Sequence, residues 1–114
     1  TLVPFAVNEL AQRAARASID AASEMRARVA AVVAERTRVT GALRDGGWNI
    51  PEPQGNFVWL PVTADAAALG NDLERRGVVT RAFAGVGVRV TIASRDWNDR
   101  FLAALAEVRP KPTC

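Results

Sequence analysis

Histidine and tyrosine are absent from this 114-residue chain, and cysteine and methionine occur once each. Without histidine the chain cannot build a Ser-His-Asp or Cys-His site, and a zinc site would need carboxylates plus the one terminal thiol, Cys114. That cysteine also has no partner for an internal disulfide. Lys111 is the only lysine, so amines that could form imines are scarce as well. We therefore expect that the chain does not perform chemistry alone, and we predict no catalytic or metal-binding residues in it.

Long hydrophobic runs are missing too. The longest uncharged stretch, residues 53–64, contains two prolines and is too short to span a membrane. The first residues lack a basic segment followed by a long apolar run, so no signal peptide is predicted. These features favour a cytoplasmic protein without a membrane partner. Because the chain begins at Thr1 and its methionine is Met25, we expect it to be part of something longer.

The charges are mixed rather than clustered. Fifteen basic residues against twelve acidic ones give a net charge of +3, and segments such as "RDWNDR" and "NDLERR" alternate the two signs. Such segments are typical of solvated helix faces, whereas a nucleic-acid site needs arginines gathered on one face and binding that weakens with salt. We expect no nucleic-acid partner. Hydrophobic residues at 49% and charged residues at 24% are typical of one soluble globular domain.

Two helices are predicted first. Asn8 can cap a helix that runs to about Ile19, and its many alanines favour close packing against other elements. The second helix should end at Gly46-Gly47, where the chain can adopt positive φ. Its apolar positions recur mostly at helical spacing and predict one buried stripe. These positions are Met25, Val29, Val32, Val33, Val39 and Leu43.

The second half of the chain predicts three strands and two helices. "NFVWLPV" is apolar on both faces and is expected to lie between two layers, with pairing that stops at Pro61. A helix follows, then strands in "VVTRAF" and "VRVTIA", then a helix capped by Ser94. The order α-α-β-α-β-β-α predicts an α+β fold. We expect a two-layer sandwich whose small, mostly antiparallel three-stranded sheet carries helices on one face.

Two arginines stand out in "TRAFAGVGVRVTIA", residues 80–93. Alternation places Arg89 on the face of its strand opposite Val88 and Val90. A hairpin loop with an odd number of residues, centred on Gly85, would put Arg81 opposite Arg89, and an even loop would put them on different faces. We adopt the odd loop as a hypothesis. The Gly85 and Gly87 pair lacks the third glycine of a dinucleotide loop and predicts a plain turn.

Two interpretations of these arginines remain open. Like charges that face each other across a hairpin destabilise it unless an anion lies between them, and two guanidinium forks match a carboxylate or phosphate. The alternative is two solvated arginines on an exposed sheet face, which spacing alone favours.

A resemblance bears on this choice. "NFVWLP" and "RGVVTRAFAGVGVRVTIASRDWNDRFLAAL" resemble the C-terminal small domain of the fold type I (class I/II) aminotransferases. Their histidinol-phosphate and aromatic amino acid (phenylalanine) branch is the most similar. "PFAVNELAQRAARASI" and "ERTRVTGALRDGGWNIPEPQGNFVWLP" resemble that branch as well, so the likeness covers nearly all of residues 1–114.

The resemblance implies roles for three residues. Arg89 matches an arginine that holds the substrate α-carboxylate or, in the histidinol-phosphate enzymes, a substrate anion. Arg81 matches a second arginine that in the histidinol-phosphate group helps to hold the phosphate end. Asn56 matches an asparagine near the cleft, for which we specify no role. The implied reaction, part of amino-acid biosynthesis, moves an amino group between an aromatic amino acid or histidinol phosphate and 2-oxoglutarate.

The resemblance also implies what this chain lacks. In the family a large domain holds pyridoxal phosphate through a lysine Schiff base. Lys111 stands in a proline-flanked tail and does not match that lysine. We expect a large domain before Thr1 in the same polypeptide, a homodimeric full enzyme, and an inactive isolated chain. The alternative is a free-standing module in which the same arginines bind an anion or phosphate.

Overall fold

The structure, a computed structural model, describes residues 8–108. Its helices and strands follow one another in the predicted order α-α-β-α-β-β-α, so the predicted fold class is confirmed. The elements are α1 (Glu9–Asp20), α2 (Ala22–Asp45), β1 (Phe57–Leu60), α3 (Ala66–Arg75), β2 (Arg81–Phe83), β3 (Gly87–Thr91) and α4 (Arg95–Val108). The described chain divides into two compact units between Ala31 and Val32, inside α2.

The first unit holds α1 and the beginning of α2. Asn8 caps α1 as predicted, since its Oδ1 accepts a hydrogen bond of 2.8 Å from the backbone N–H of Ala11. The expected close packing of α1 is wrong for the described residues, because none of its side chains is buried. Leu10 and Ile19 are 78% and 73% exposed. The stripe of α2 is exposed in this unit at Met25 and Val29.

The second unit contains the sheet and the hydrophobic core. α2 buries Val39 and Leu43 there and ends where predicted, with Gly47 at φ 92°. The core lies between the helices and one face of the sheet. It is formed by Val39, Leu43, Trp48, Ile50, Val58, Leu60, Val62, Ala66, Leu69, Leu73, Val78, Val88, Val90, Ile92, Phe101, Ala104 and Leu105.

The sheet is antiparallel throughout, in the order β1-β3-β2. β1 ends before Pro61, as predicted, but it is an edge strand and does not lie between two layers. Val58 and Leu60 face the core, while Phe57 and Trp59 are half-buried on the other face. That expectation was wrong because aromatic side chains can cover one another on an open sheet face, so an apolar run does not require a second layer.

The other two strands are shorter than predicted. The backbone N–H of Val78 donates to the carbonyl of Leu73 at the end of α3, so this residue closes a helix rather than pairing in a sheet. β2 therefore begins only at Arg81. β2 and β3 pair from Phe83↔Gly87 to Arg81↔Arg89, which leaves a loop of three residues centred on Gly85. Gly85 has φ 76°, and the odd-loop hypothesis is confirmed.

Candidate functional site

Three aligned strands bring the two arginines together on the open face of the sheet. In the pairing register Arg89 of β3 lies directly between Trp59 of β1 and Arg81 of β2. Strand alternation places Phe57 and Phe83 on this same face. We call these five residues, Phe57, Trp59, Arg81, Phe83 and Arg89, the arginine face. The opposite face of β1 and β3 carries the buried valines of the core, so Arg89 is held on a rigid support, whereas all three residues of β2, which carries Arg81, are exposed.

Neither arginine of this face is neutralised. Among residues 8–108, neither Arg81 nor Arg89 takes part in an ion pair or a hydrogen bond of its side chain. Each guanidinium instead lies over an aromatic ring. The central carbon of Arg89 is 5.7 Å from the ring centroid of Phe57, and that of Arg81 is 5.2 Å from the ring centroid of Phe83. Their hydrogen-bond donors therefore remain available to an anion.

Trp59 extends over the arginine face from the edge strand β1. Its ring lies 5.9 Å from that of Phe83, tilted by 42°. The indole also lies over Gly87, because a Cβ at that position would be 2.3 Å from Trp59 Cζ2. Glycine at 87 therefore lets the tryptophan rest directly on the backbone of β3. The sequence offered no signal for this contact, since Gly87 reads only as part of a turn.

Asn56 immediately precedes β1. Its backbone carbonyl accepts a hydrogen bond of 2.7 Å from the N–H of Ile92, which extends the backbone pairing of β1 and β3 by one residue pair. Its side chain is exposed and forms no hydrogen bond within residues 8–108. The fold gives Asn56 a backbone role beside the arginine face, and its expected role near a substrate stays a prediction.

A second polar cluster joins α2 to α4 and was missed from the sequence. Both Glu35 oxygens accept hydrogen bonds from Arg38, at 3.1 and 2.8 Å, and Arg38 also pairs with Asp99 at 2.9 Å. Buried Asn98 donates to Glu35 Oε2 at 2.9 Å and to the carbonyl of Ala93 at 3.0 Å. The charges at 35 and 38, three positions apart on one helix, were the available signal.

This cluster shifts the pKa of both charged partners within α2. Hydrogen bonds from Arg38, and then from Asn98, lower the pKa of Glu35 from its usual 4.5 to about 2. The same pairing raises the pKa of Arg38. Because its carboxylate and guanidinium already satisfy one another, the cluster is suited to holding α2 against α4 and not to binding a ligand.

Residues 8–108 contain no group of three histidine, cysteine, aspartate or glutamate side chains that could hold a metal ion. No helix within this range is long and apolar enough to cross a membrane. It also contains no lysine, since Lys111 lies outside the described residues. Hence no described side chain can form an imine with an aldehyde cofactor.

Comparisons with known proteins show similarity to aminotransferases. The family described as aminotransferase class I and II matches residues 2–105. An aromatic amino acid aminotransferase of Streptomyces coelicolor is 50% identical over 109 residues, which are 96% of this chain and 30% of that protein. One of Thermobifida fusca is 50% identical over 111 residues, which are 97% of this chain and 31% of that protein.

A solved structure has the same fold. It is a Burkholderia pseudomallei protein assigned as an aminotransferase, with a TM-score of 0.78 and 31% identity. The match covers 90% of this chain and 33% of that one. The chain thus spans about 30% of the length of the curated relatives it matches. By the extent of the family match and the identity to these relatives, the chain belongs to the class I and II aminotransferases.

Proposed function

We propose that residues 1–114 form the C-terminal small domain of a pyridoxal-phosphate-dependent aminotransferase and bind the substrate's carboxylate. The observation that carries this proposal is Arg89, held between Trp59 and Arg81 on an open sheet face without an acidic partner among residues 8–108. The relatives named aromatic amino acid aminotransferases support an aromatic amino donor, and 2-oxoglutarate is the proposed acceptor.

Arg89 would bind the carboxylate that amino acids and 2-oxo acids share. A guanidinium presents paired N–H groups that match the two oxygens of a carboxylate, and the pairing fixes direction as well as distance. Since β3 is the central strand, its backbone is hydrogen-bonded on both sides. The backbone that carries Arg89 is therefore rigid. A reactant held in this way avoids much of the entropic cost of its encounter with the reacting group.

Arg81 would bind a second anionic group. It is exposed, lies on the same face as Arg89 and has no acidic partner among the described residues. The phosphate of histidinol phosphate is one such group, so Arg81 supports histidinol phosphate as a second candidate amino donor beside the aromatic amino acids. The KM of the full-length Arg81→Ala variant for each donor shows which of the two Arg81 binds.

The described residues do not fit a covalent site for pyridoxal phosphate. The class I and II family uses this cofactor, which supplies the electron sink for amino transfer. No lysine lies within residues 8–108. The proposal therefore assigns the cofactor to a large domain of the same polypeptide. We also propose that the full enzyme is a cytoplasmic homodimer. This chain contributes binding and orientation only.

The test is Arg89→Ala in the full-length protein, with Arg100→Ala as the matched control. Arg100 is an exposed arginine on α4, so its loss removes the same charge away from the arginine face. Losing charged hydrogen bonds to a carboxylate should raise the KM for both amino and 2-oxo acids by about 10- to 100-fold. Steady-state kinetics with both substrates measure it. Equal KM values for Arg89→Ala and Arg100→Ala would contradict the proposal.

Phosphate binding by the same full-length variants, measured beside their kinetics, tests the alternative, which is a free-standing module that binds an anion. Its supporting observation is again the two unpaired guanidiniums, which need no enzyme around them. If the full-length protein binds phosphate through Arg81 and Arg89 but transfers no amino group, the module is the correct function.

A further inference from the structure

The two arginines of the arginine face repel each other across the β2–β3 pair. Arg81 and Arg89 are direct partners across the β2–β3 pair, and like charges at such positions destabilise a hairpin. No carboxylate among residues 8–108 offsets this repulsion. Each guanidinium lies instead over its own ring, Arg89 over Phe57 and Arg81 over Phe83.

The strand register explains why each arginine has a separate ring. Phe57 pairs with Thr91, so it is the diagonal neighbour of Arg89 on the adjacent strand, within reach of a long side chain. Phe83 follows Arg81 by two positions on β2 and shares its face. Trp59 is directly opposite Arg89, and its ring lies beside that of Phe83.

From these contacts we propose that Phe57 and Phe83 are positioning residues that hold the guanidiniums of Arg89 and Arg81 in place before an anionic substrate binds. The inference rests on the proposed function, since it concerns the same carboxylate site. A ring face attracts a cation and limits the rotamers of its side chain. An arginine already ordered in this way loses less conformational entropy when a carboxylate arrives.

The exposure of the rings fits this role. Phe83 is 36% exposed and Phe57 is half-buried, and neither belongs to the core beneath the sheet. The buried face of the sheet is already formed by Val58, Leu60, Val88 and Val90. The two rings are therefore not needed for the core.

The test compares Phe57→Leu with Phe57→Tyr in the full-length enzyme. Leucine keeps an apolar side chain and removes the ring, whereas tyrosine keeps the ring. We expect Phe57→Leu to raise the KM for amino and 2-oxo acids about two- to fivefold with kcat within about twofold, as for the loss of one cation–π contact. Phe57→Tyr should restore the KM. Melting temperatures establish that both variants fold.

A double variant shows whether Phe57 acts through Arg89. If it does, Arg89→Ala with Phe57→Leu has the same KM as Arg89→Ala alone, because the ring has no guanidinium left to position. Multiplicative effects, or a Phe57→Tyr variant as impaired as Phe57→Leu, would overturn the inference. An unchanged KM in Phe57→Leu beside a raised KM in Arg89→Ala would overturn it and leave the proposed function intact. An unchanged KM in Arg89→Ala would instead sink the proposed function itself.

Discussion

At position 87 the absence of a side chain decides how Trp59 lies on the sheet. A Cβ there would be 2.3 Å from Trp59 Cζ2 and 2.8 Å from the backbone oxygen of Leu60. The indole could swing away, but the strand backbone cannot yield without disturbing the β1–β3 pairing. We predict that Gly87→Ala lowers the free energy of unfolding by about 1–3 kcal/mol, the usual cost of overpacking, and moves Trp59. Thermal unfolding and near-ultraviolet circular dichroism measure the two effects.

Gly41→Ala is the matched control for that substitution. Gly41 lies inside α2, and apart from its chain neighbours and the backbone of its own helix no described atom lies within 4 Å of the Cβ it would gain. Alanine favours helix, so this variant should be stabilised by up to about 1 kcal/mol. A Gly87→Ala chain as stable as wild type, with an unchanged aromatic spectrum, would contradict the close contact between Trp59 and β3.

Between elements, the joint of α2 and α4 makes stability sensitive to acid. The pKa of Glu35 is lowered from 4.5 to about 2 by its hydrogen bonds with Arg38 and Asn98. A carboxyl group whose pKa is lower in the folded state contributes stability that is fully present above its unfolded pKa and is lost as the pH falls through the folded one. We therefore predict that Glu35→Gln reduces the loss of melting temperature between pH 5 and about pH 2.

Glu24→Gln is the control for this acid sensitivity. Glu24 lies on the same helix and pairs with Arg28 at 2.6 Å, with both side chains largely exposed. Exposed pairs of this kind contribute little to stability. The Glu24→Gln chain should therefore keep the contribution of Glu35 to acid unfolding. The interpretation fails if the melting temperatures of Glu35→Gln and wild type decrease by the same amount over that range.

The elements themselves could largely be predicted, and the reasons are local. The alternation in β3 predicts the core face of Val88 and Val90, and α2 ends before Gly47, whose φ of 92° glycine permits. The short extent of β2 could not be predicted, because Val78 bonds to the end of α3 instead of to a strand. The role of Asn98 was also hidden, since its partner Glu35 lies 63 residues earlier, on α2.

The site was predictable only in part for a similar reason. Alternation and an odd loop place Arg81 and Arg89 opposite each other, and the structure confirms that register. The contact of each guanidinium with the ring of Phe57 or Phe83 depends on side-chain rotamers, which periodicity does not encode. The exposure of Met25 and Val29 in α2 was missed as well, because a helical pattern predicts a buried stripe without naming what covers it.

For the whole molecule, binding and chemistry are expected to reside in different parts. The chain spans about 30% of the length of its curated relatives and contains neither histidine nor tyrosine. We predict that the 114-residue chain, mixed with an aromatic amino acid, 2-oxoglutarate and pyridoxal phosphate, produces glutamate no faster than free cofactor does. Chromatographic detection of glutamate measures this. The full-length protein is the positive control, and turnover by the chain alone would contradict the division.

The three-residue loop at Gly85 sets a rule for how this hairpin can change in evolution. Side chains of a strand alternate between faces, so shifting the register by one residue turns every side chain over. If the loop keeps its three residues, one residue inserted in β2 after Arg81 turns Arg81 towards the helices, whereas two return it to the side of Arg89. Inherited insertions between Arg81 and this loop should therefore come in even steps wherever both guanidiniums are retained.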